Sequence, residues 1–188
     1  MKKLCMLLLM LLPATAWAGS WTLDAGNSDI NFVSVKKDTV AEVHHFTALS
    51  GSAKDGSASV VIDLASVESG IAIRNERMKS MLFDVAQFAT ATITADISAV
   101  ETSKLKVGEM VTATVPVSLD LHGFKQELKA DVTVIALNDG LLVTSRSPVI
   151  VKAADFGLVA GIEALRDAAK LPSIAQSVPV SFHLRFTH

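Results

Sequence analysis

The fold is decided by residues 113–134, which read ATVPVSLDLHGFKQELKADVTV. In the first half of this stretch apolar residues occupy every second position from Val115 to Leu121, and in the second half they do so from Leu128 to Val134. Alternation with period two places all the apolar side chains on one face of a strand. His122-Gly123, between the halves, is a turn signal. The stretch therefore predicts two antiparallel strands, each buried on one face only.

The same alternation recurs in residues 178–186 and, over shorter lengths, in residues 57–64 and 92–100. Turn-forming residues occur between such segments at positions 55–56 and 138–140. Because each strand has a single apolar face, the sheet must close on itself or pack on another layer. The sequence predicts a mainly all-β domain built as an antiparallel β-barrel.

Two segments have helical spacing instead. Asn75 resembles a helix cap, and Met78, Met81 and Leu82 follow it at the spacing of one helix face. This pattern predicts a short helical turn.

A longer helix is predicted from Lys152 to Lys170, with Pro172 as its stop signal. Gly157 and Gly161 oppose it, since glycine inside a helix costs about 1 kcal/mol relative to alanine.

The first residues have the three-part layout of a secretory signal peptide. Lys2 and Lys3 precede an apolar run, residues 4–12, and the triplet Ala16-Trp17-Ala18 has small side chains at the positions that signal peptidase reads. The run is too short to span a bilayer, which takes about 20 apolar residues. We expect cleavage after Ala18, an exported mature domain of residues 19–188 in the periplasm, and no transmembrane span.

Composition narrows the function classes. Cys5 is the only cysteine, so the expected mature chain has no disulfide and no thiolate chemistry. The net charge of −2 becomes two units more negative when Lys2 and Lys3 are removed, which argues against nucleic acid as a partner. Half of the residues are hydrophobic and 19% are charged, a ratio that suggests a large interior. The sequence leaves open whether the domain forms a homodimer.

Catalytic and metal-binding patterns do not emerge from the sequence. His44 and His45 are neighbours on a predicted strand, so their side chains face opposite sides and are poorly placed to share a metal ion. Asp24 and Asp63 have no spacing that calls for acid–base catalysis, and no elbow-type serine supplies a nucleophile. We therefore expect no enzyme activity, no metal and no cofactor.

Several motifs, in their order and spacing, resemble the YceI-like family over nearly all of the expected mature chain. The motifs are WTLD at 21–24, SDINF at 28–32, IRNERM at 73–78, SMLFDV at 80–85, FATATI at 88–93, LDLHGFK at 119–125 and DFG at 155–157. The sequence departs from the usual family pattern at residues 75–77, where an aspartate and a histidine are more typical, and at Ala89, where proline is common.

The resemblance implies an extended lipocalin-like barrel around an elongated apolar pocket. In characterised relatives that pocket holds a polyisoprenoid or a similar long-chain amphiphile, and no catalytic residues are associated with the family. The predicted partner is accordingly a small-molecule lipid, such as an isoprenoid or a fatty-acid derivative.

Candidate pocket residues are the apolar-face residues of the strands and the large apolar residues of the helical segments. They are Phe32, Met78, Met81, Leu82, Phe83, Phe88, Val117, Leu119, Val134, Phe156, Phe182 and Phe186. Arg74 and Arg77 are candidates for binding an anionic head group, because a guanidinium forms bidentate hydrogen bonds with carboxylate and phosphate.

Two interpretations remain open at this point. An eight-stranded barrel is just wide enough either to hold one small ligand or to be filled by its own side chains. The first interpretation is a carrier for a long-chain molecule, and the second is a stress-response or interaction module with a filled barrel and no small-molecule ligand.

Overall fold

The structure, a computed structural model, describes residues 20–188. The predicted signal peptide and its cleavage site lie outside the described residues. Within them are twelve strands and two α-helices, α1 (Ala72–Arg77) and α2 (Val159–Ala168). The strands are β1 (Trp21–Leu23), β2 (Asp29–Lys36), β3 (Val40–Phe46), β4 (Leu49–Lys54), β5 (Ser57–Asp63), β6 (Val67–Glu68), β7 (Thr90–Asp96), β8 (Met110–Leu121), β9 (Phe124–Ala136), β10 (Gly140–Ser145), β11 (Val149–Lys152) and β12 (Ser177–Thr187).

Eight of these strands close into an antiparallel barrel in the order β1-β4-β5-β7-β8-β9-β10-β12. Closure occurs where β1 pairs with β12, Thr22 opposite Thr187 and Leu23 opposite Phe186. The predicted antiparallel lipocalin-like barrel is confirmed. Closure leaves the eight-stranded ring itself without a free sheet edge.

β12 extends the barrel beyond this ring, because each of its edges pairs with two strands in succession. One edge pairs with β10 and then with β11, while the other pairs with β1 and then with β2. β3 and β6 continue the sheet from β2. The sheet therefore extends beyond the eight-stranded ring on the side of β2 and β3.

The longest hairpin is the one that the sequence predicts most directly. β8 and β9 pair continuously from Leu121 opposite Phe124 to Met110 opposite Ile135. His122 (φ 54°) and Gly123 (φ 78°) connect them, both in the left-handed region. A two-residue turn with two positive φ angles matches the twist of the flanking strands, which explains the tight connection.

The first helical segment differs from its prediction. α1 begins at Ala72, and a π-helical turn, Met78–Leu82, continues it. Asn75 lies inside α1 and is buried, and its Oδ1 accepts hydrogen bonds from the backbone N–H and the hydroxyl of Ser69. Asn75 thus holds the preceding loop against the helix, and its prediction as the helix cap is wrong.

The second predicted helix is divided in the structure. Gly157 has a φ of +66° and ends a short 3-10 helix, Ala153–Phe156, before α2 starts at Val159. A single helix over 152–170 is therefore wrong, because the left-handed glycine turns the chain between the two pieces. Across residues 20–188, every helix falls short of the length and apolar character needed to cross a membrane.

Candidate functional site

The barrel encloses two adjoining apolar chambers. Chamber 1 lies within the eight-stranded ring. The centres of water-sized molecules can occupy a volume of about 170 Å³ inside it. Chamber 2, with about 140 Å³ measured in the same way, lies towards α2 and the π-helical turn. Among the described residues that line the two chambers, Thr102 and Trp21 are the only ones whose side chains carry a polar atom. Apolar cavities of this kind stay dry and accept apolar molecules.

The chambers adjoin each other and share part of their walls. The shared residues are Ile30, Ile93, Leu119, Val151 and Val180. Along β12, Val178 belongs to chamber 2, Val180 to both, and Phe182 and Phe186 to chamber 1. Alternate residues of a single strand therefore trace the cavity from one end to the other, as the period of a strand requires.

Chamber 2 is covered by the helical segments. Leu82 and Phe83 come from the π-helical turn and the residue after it, and Leu158 and Ile162 come from the start and first turns of α2. Three aromatic rings also belong to this wall. The ring centroid of Phe46 lies 5.5 Å from that of Phe32 and 5.9 Å from that of Phe83. The two helical pieces act together as a lid on an otherwise β-structured cavity.

A polar cluster stands beside chamber 2 on β2, β3 and α1. The Glu42 carboxylate accepts from Lys36 at 2.8 Å and from Arg74 at 2.7 Å, with both distances measured to Oε2. The hydrogen bond from Lys36 is the main cause that lowers the pKa of Glu42. Arg74 also donates from Nε to the hydroxyl of Ser69 at 2.8 Å.

His44 is the buried member of this neighbourhood. Its side chain is 2% exposed, and its Nδ1 has no hydrogen-bond partner in the part of the chain that the structure describes. Burial lowers the pKa of His44, and the nearby positive charge of Arg74 lowers it further, so the imidazole is neutral at neutral pH. The sequence predicts that His44 and His45 face opposite sides of one strand, but it does not show that His44 is the buried one.

Residues 21–186 match the sequence profile of the YceI-like domain. The chain belongs to the YceI-like family. A solved polyisoprenoid-binding domain from Saccharophagus degradans, described as implicated in plant cell wall breakdown, is 42% identical, with a TM-score of 0.86 over 89% of this chain and 97% of that one.

Two more distantly related solved structures have a similar fold. BcnA of Burkholderia cenocepacia is 22% identical, with a TM-score of 0.69 over 87% of this chain and 98% of that one. The YCEI protein of Campylobacter jejuni is 12% identical, with a TM-score of 0.54 over 77% and 84%. At these identities the likeness concerns the fold. No curated protein sequence matches the chain.

In this YceI-like domain, eight of the twelve predicted pocket residues lie on a chamber wall. Chamber 1 contains Val117, Val134, Phe182 and Phe186, chamber 2 contains Phe32, Leu82 and Phe83, and both contain Leu119. All five predicted from the alternation of β8, β9 and β12 are among these eight. Their position on a wall follows from the strand period, and their contact with a ligand stays a prediction.

The structure places the other four away from the chamber walls. Met78 and Phe156 are buried in the core, with 4% and 0% of their surface exposed, whereas Met81 is 38% exposed. Phe88 packs against the ring of His122, with centroids 4.4 Å apart. Only one side of the π-helical turn faces the cavity, and that side carries Leu82. Contact of these four residues with a ligand stays a prediction that their position does not favour.

The two arginines have different surroundings. Arg74 belongs to the polar cluster beside chamber 2, as described above. Arg77 donates from Nη1 to the carbonyl oxygen of Ala168 at 3.3 Å, at the carboxyl end of α2. Neither arginine lines a chamber. The hydrogen bond gives Arg77 a role in holding α2 in place, and its role as a head-group residue stays a prediction.

Metal binding has no support within residues 20–188. They contain no group of three or more histidine, cysteine, aspartate or glutamate residues placed to hold an ion.

Proposed function

We propose that this YceI-like domain binds a long-chain apolar molecule, a polyisoprenoid or a fatty-acyl amphiphile, within the barrel and carries it through the periplasm. The observation that carries the proposal is the pair of adjoining apolar chambers, which share five wall residues. A long flexible chain without polar groups along its length fits such a cavity, because burying its surface gains free energy at roughly 25 cal/mol per Å².

The relative from Saccharophagus degradans supports the chemical class of the ligand. That protein is described as a polyisoprenoid-binding domain, and its 42% identity extends over almost its whole length. The proposed role is binding and transport without catalysis, in line with the absence of a catalytic pattern in the sequence.

The alternative of a filled barrel is less well supported. An interaction module of that kind needs its interior occupied by side chains. The small side chains on the walls of chamber 1, among them Ala53, Ala58, Ala95 and Ala130, leave the interior open instead. The periplasmic location is proposed from the signal-peptide pattern of residues 1–18.

The test is to express the full chain, recover it from the periplasmic fraction, and extract bound lipids for mass spectrometry. We expect an isoprenoid or acyl molecule in near-stoichiometric amount and an amino terminus at Gly19. Protein without any long-chain molecule, together with no thermal stabilisation of the delipidated protein by isoprenoids or fatty acids, would contradict the binding function. An intact Met1 in the periplasmic protein would contradict the signal-peptide prediction.

A further inference from the structure

The inward faces of β2 and β3 change from apolar to polar just beyond chamber 2. Ile30, Phe32 and Phe46 line that chamber. At the next inward positions, Phe32 pairs with His44 and Ser34 pairs with Glu42. Because inward residues recur at every second position, the cavity-facing side of this hairpin continues directly from a hydrophobic wall into a hydrogen-bonding surface.

His44 is the first polar residue met along this face. Its ring centroid lies 5.3 Å from that of Phe32 in an edge-on arrangement, so the imidazole stands next to the wall of chamber 2. Its Nδ1 is buried and has no hydrogen-bond partner among residues 20–188. Buried polar groups in folded proteins nearly always have a hydrogen-bond partner, and an exception calls for an explanation. A ligand atom that arrives through chamber 2 is one such partner.

The charges beside His44 favour a negative group. Lys36 and Arg74 both contact the same carboxylate oxygen of Glu42, so two cations share one anion and the cluster keeps one positive charge in excess. All three side chains are between 23% and 30% exposed, which reduces the screening of that charge by solvent.

From this arrangement we infer that His44, Lys36 and Arg74 bind the anionic oxygen head of an amphiphile, a carboxylate or a phosphate monoester. The tail then runs through chamber 2 into chamber 1. The inference rests on the proposed function, and it adds the polarity of the ligand and its direction in the cavity. The head lies at the β2–β3 end, and the far end of the tail approaches Trp21, which lines chamber 1.

The orientation of the amphiphile in the cavity can be measured in the wild-type protein. Trp21 is the only tryptophan of residues 19–188, so its fluorescence reports on chamber 1 alone. Delipidated protein is titrated with geranylgeranoic acid analogues that carry a bromine atom, a contact quencher of indole, either at the far end of the tail or next to the carboxylate. We expect the tail-brominated analogue to quench Trp21 and the head-brominated one to leave it bright. The reverse pattern, or equal quenching by both, would overturn the inferred direction.

Head-group selectivity is tested with geranylgeraniol, geranylgeranoic acid and geranylgeranyl phosphate, which share one tail. His44→Phe and Arg74→Gln should each weaken binding of the acid and the phosphate about tenfold, the size of one lost charge-assisted hydrogen bond, and leave the alcohol unchanged. Glu42→Gln should strengthen binding of both anions several-fold, because it frees two cations. The matched control is Glu76→Gln, which removes a surface carboxylate paired with Lys79 and should change nothing.

The outcomes separate this inference from the proposed function. If the wild type binds all three probes equally well and Glu42→Gln leaves the anions unaffected, the cavity binds lipid but the head-group site is wrong. If the delipidated wild type binds none of the probes, the proposed function fails and the head-group site fails with it. Should His44→Phe not fold, the Glu42→Gln variant and the brominated analogues still decide the question.

Discussion

Gly161 of α2 lies in backbone contact with Met81, since a Cβ atom at Gly161 would stand 2.7 Å from the Met81 carbonyl oxygen. It would also stand 2.9 Å from the Cα atom of Leu82. α2 and the π-helical turn are therefore packed as closely as a glycine allows. This contact joins the two pieces of the lid over chamber 2.

Gly161→Ala is expected to destabilise the domain. Helix propensity alone would favour alanine by about 1 kcal/mol. Overpacking against backbone atoms, which cannot rotate away, typically costs about 1–3 kcal/mol, and we expect this cost to prevail. Urea unfolding followed by circular dichroism measures the change in the free energy of unfolding and therefore its sign. Gly26→Ala is the matched control, because its nearest neighbour would be 3.6 Å away, an ordinary contact. A more stable Gly161→Ala protein would show that the lid can shift at no cost.

The same glycine shows what the sequence predicts and what it does not. Gly161 counts against a helix when only local propensity is considered, yet the structure uses it inside α2. The reason lies in residues about 80 positions earlier in the chain, and no local pattern contains that information. For the strands the period-two signal was sufficient, because the alternation from Val115 to Leu121 directly determines which side chains face inward.

The residues of the candidate site differ in the same way between those that a local pattern predicts and those that depend on distant parts of the chain. Leu119, Phe182 and Phe186 were predicted from alternation and lie on the chamber walls. Met81 and Phe156 were predicted from their size and hydrophobicity, and they lie elsewhere because their orientation depends on how the helical pieces dock. The shared wall residues Ile93 and Val180 were on predicted apolar faces, but that they join two chambers follows only from closure of the barrel.

Arg77→Ala is expected to loosen the carboxyl end of α2 without changing head-group preference. The guanidinium donates to the Ala168 carbonyl, where a cation also interacts favourably with the helix dipole, an effect of about 0.3–1 kcal/mol. Affinities for geranylgeraniol and geranylgeranoic acid should therefore change by equal factors. They can be measured by titration of delipidated protein. A loss confined to the acid would restore Arg77 as a head-group residue.

His44 makes stability depend on pH in a defined direction. Burial lowers its pKa below the usual value of 6.5, so on acidification the unfolded chain binds the proton before the folded protein does. The stability that depends on a neutral His44 is fully present above pH 6.5. It is lost as the pH falls from there towards the lowered pKa of the folded state. The free energy of unfolding should therefore decrease as the pH is lowered from 7.5 to 5.5.

A matched pair of variants assigns that decrease to the buried ring. His44→Gln should flatten the pH dependence in this window, whereas His183→Gln, at an exposed position on β12, should not. Glu42, whose pKa is lowered from 4.5, titrates below the window and does not interfere. An unchanged slope in His44→Gln would mean that other groups cause the pH dependence.

Leu119→Trp should close the passage between the chambers, because Leu119 lines both. In the wild type, a ligand at a hundredfold excess over its Kd adds about 2.7 kcal/mol of stability and raises the Tm. The indole should abolish this rise while costing only about 1–3 kcal/mol, since it enters open space. Val43→Trp, at an outward position of β3 that is 64% exposed, should keep the ligand effect. Gross unfolding of Leu119→Trp would indicate a filled interior.

Val134→Phe should shorten the tail that the cavity accepts. On β9, Val134 pairs with Val111, eight residues along β8 from Leu119 at the junction, which corresponds to about 26 Å of strand. With the usual tilt of barrel strands, this is roughly 20 Å along the barrel axis. A phenyl ring at the far end of chamber 1 therefore leaves room for a short tail and excludes a long one.

The measurement compares farnesol, geranylgeraniol and octaprenol by thermal shift of delipidated protein. Val134→Phe should lose the response to octaprenol first and keep the response to farnesol, while Leu119→Trp should abolish the response to all three because it acts at the junction. Lys129→Phe, an outward substitution on the same strand, should leave the order of the three probes as in the wild type. An unchanged response to all three alcohols in Val134→Phe would mean that the tail does not extend to this end of chamber 1, and equal losses for all three would mean that the substitution acts on the domain as a whole.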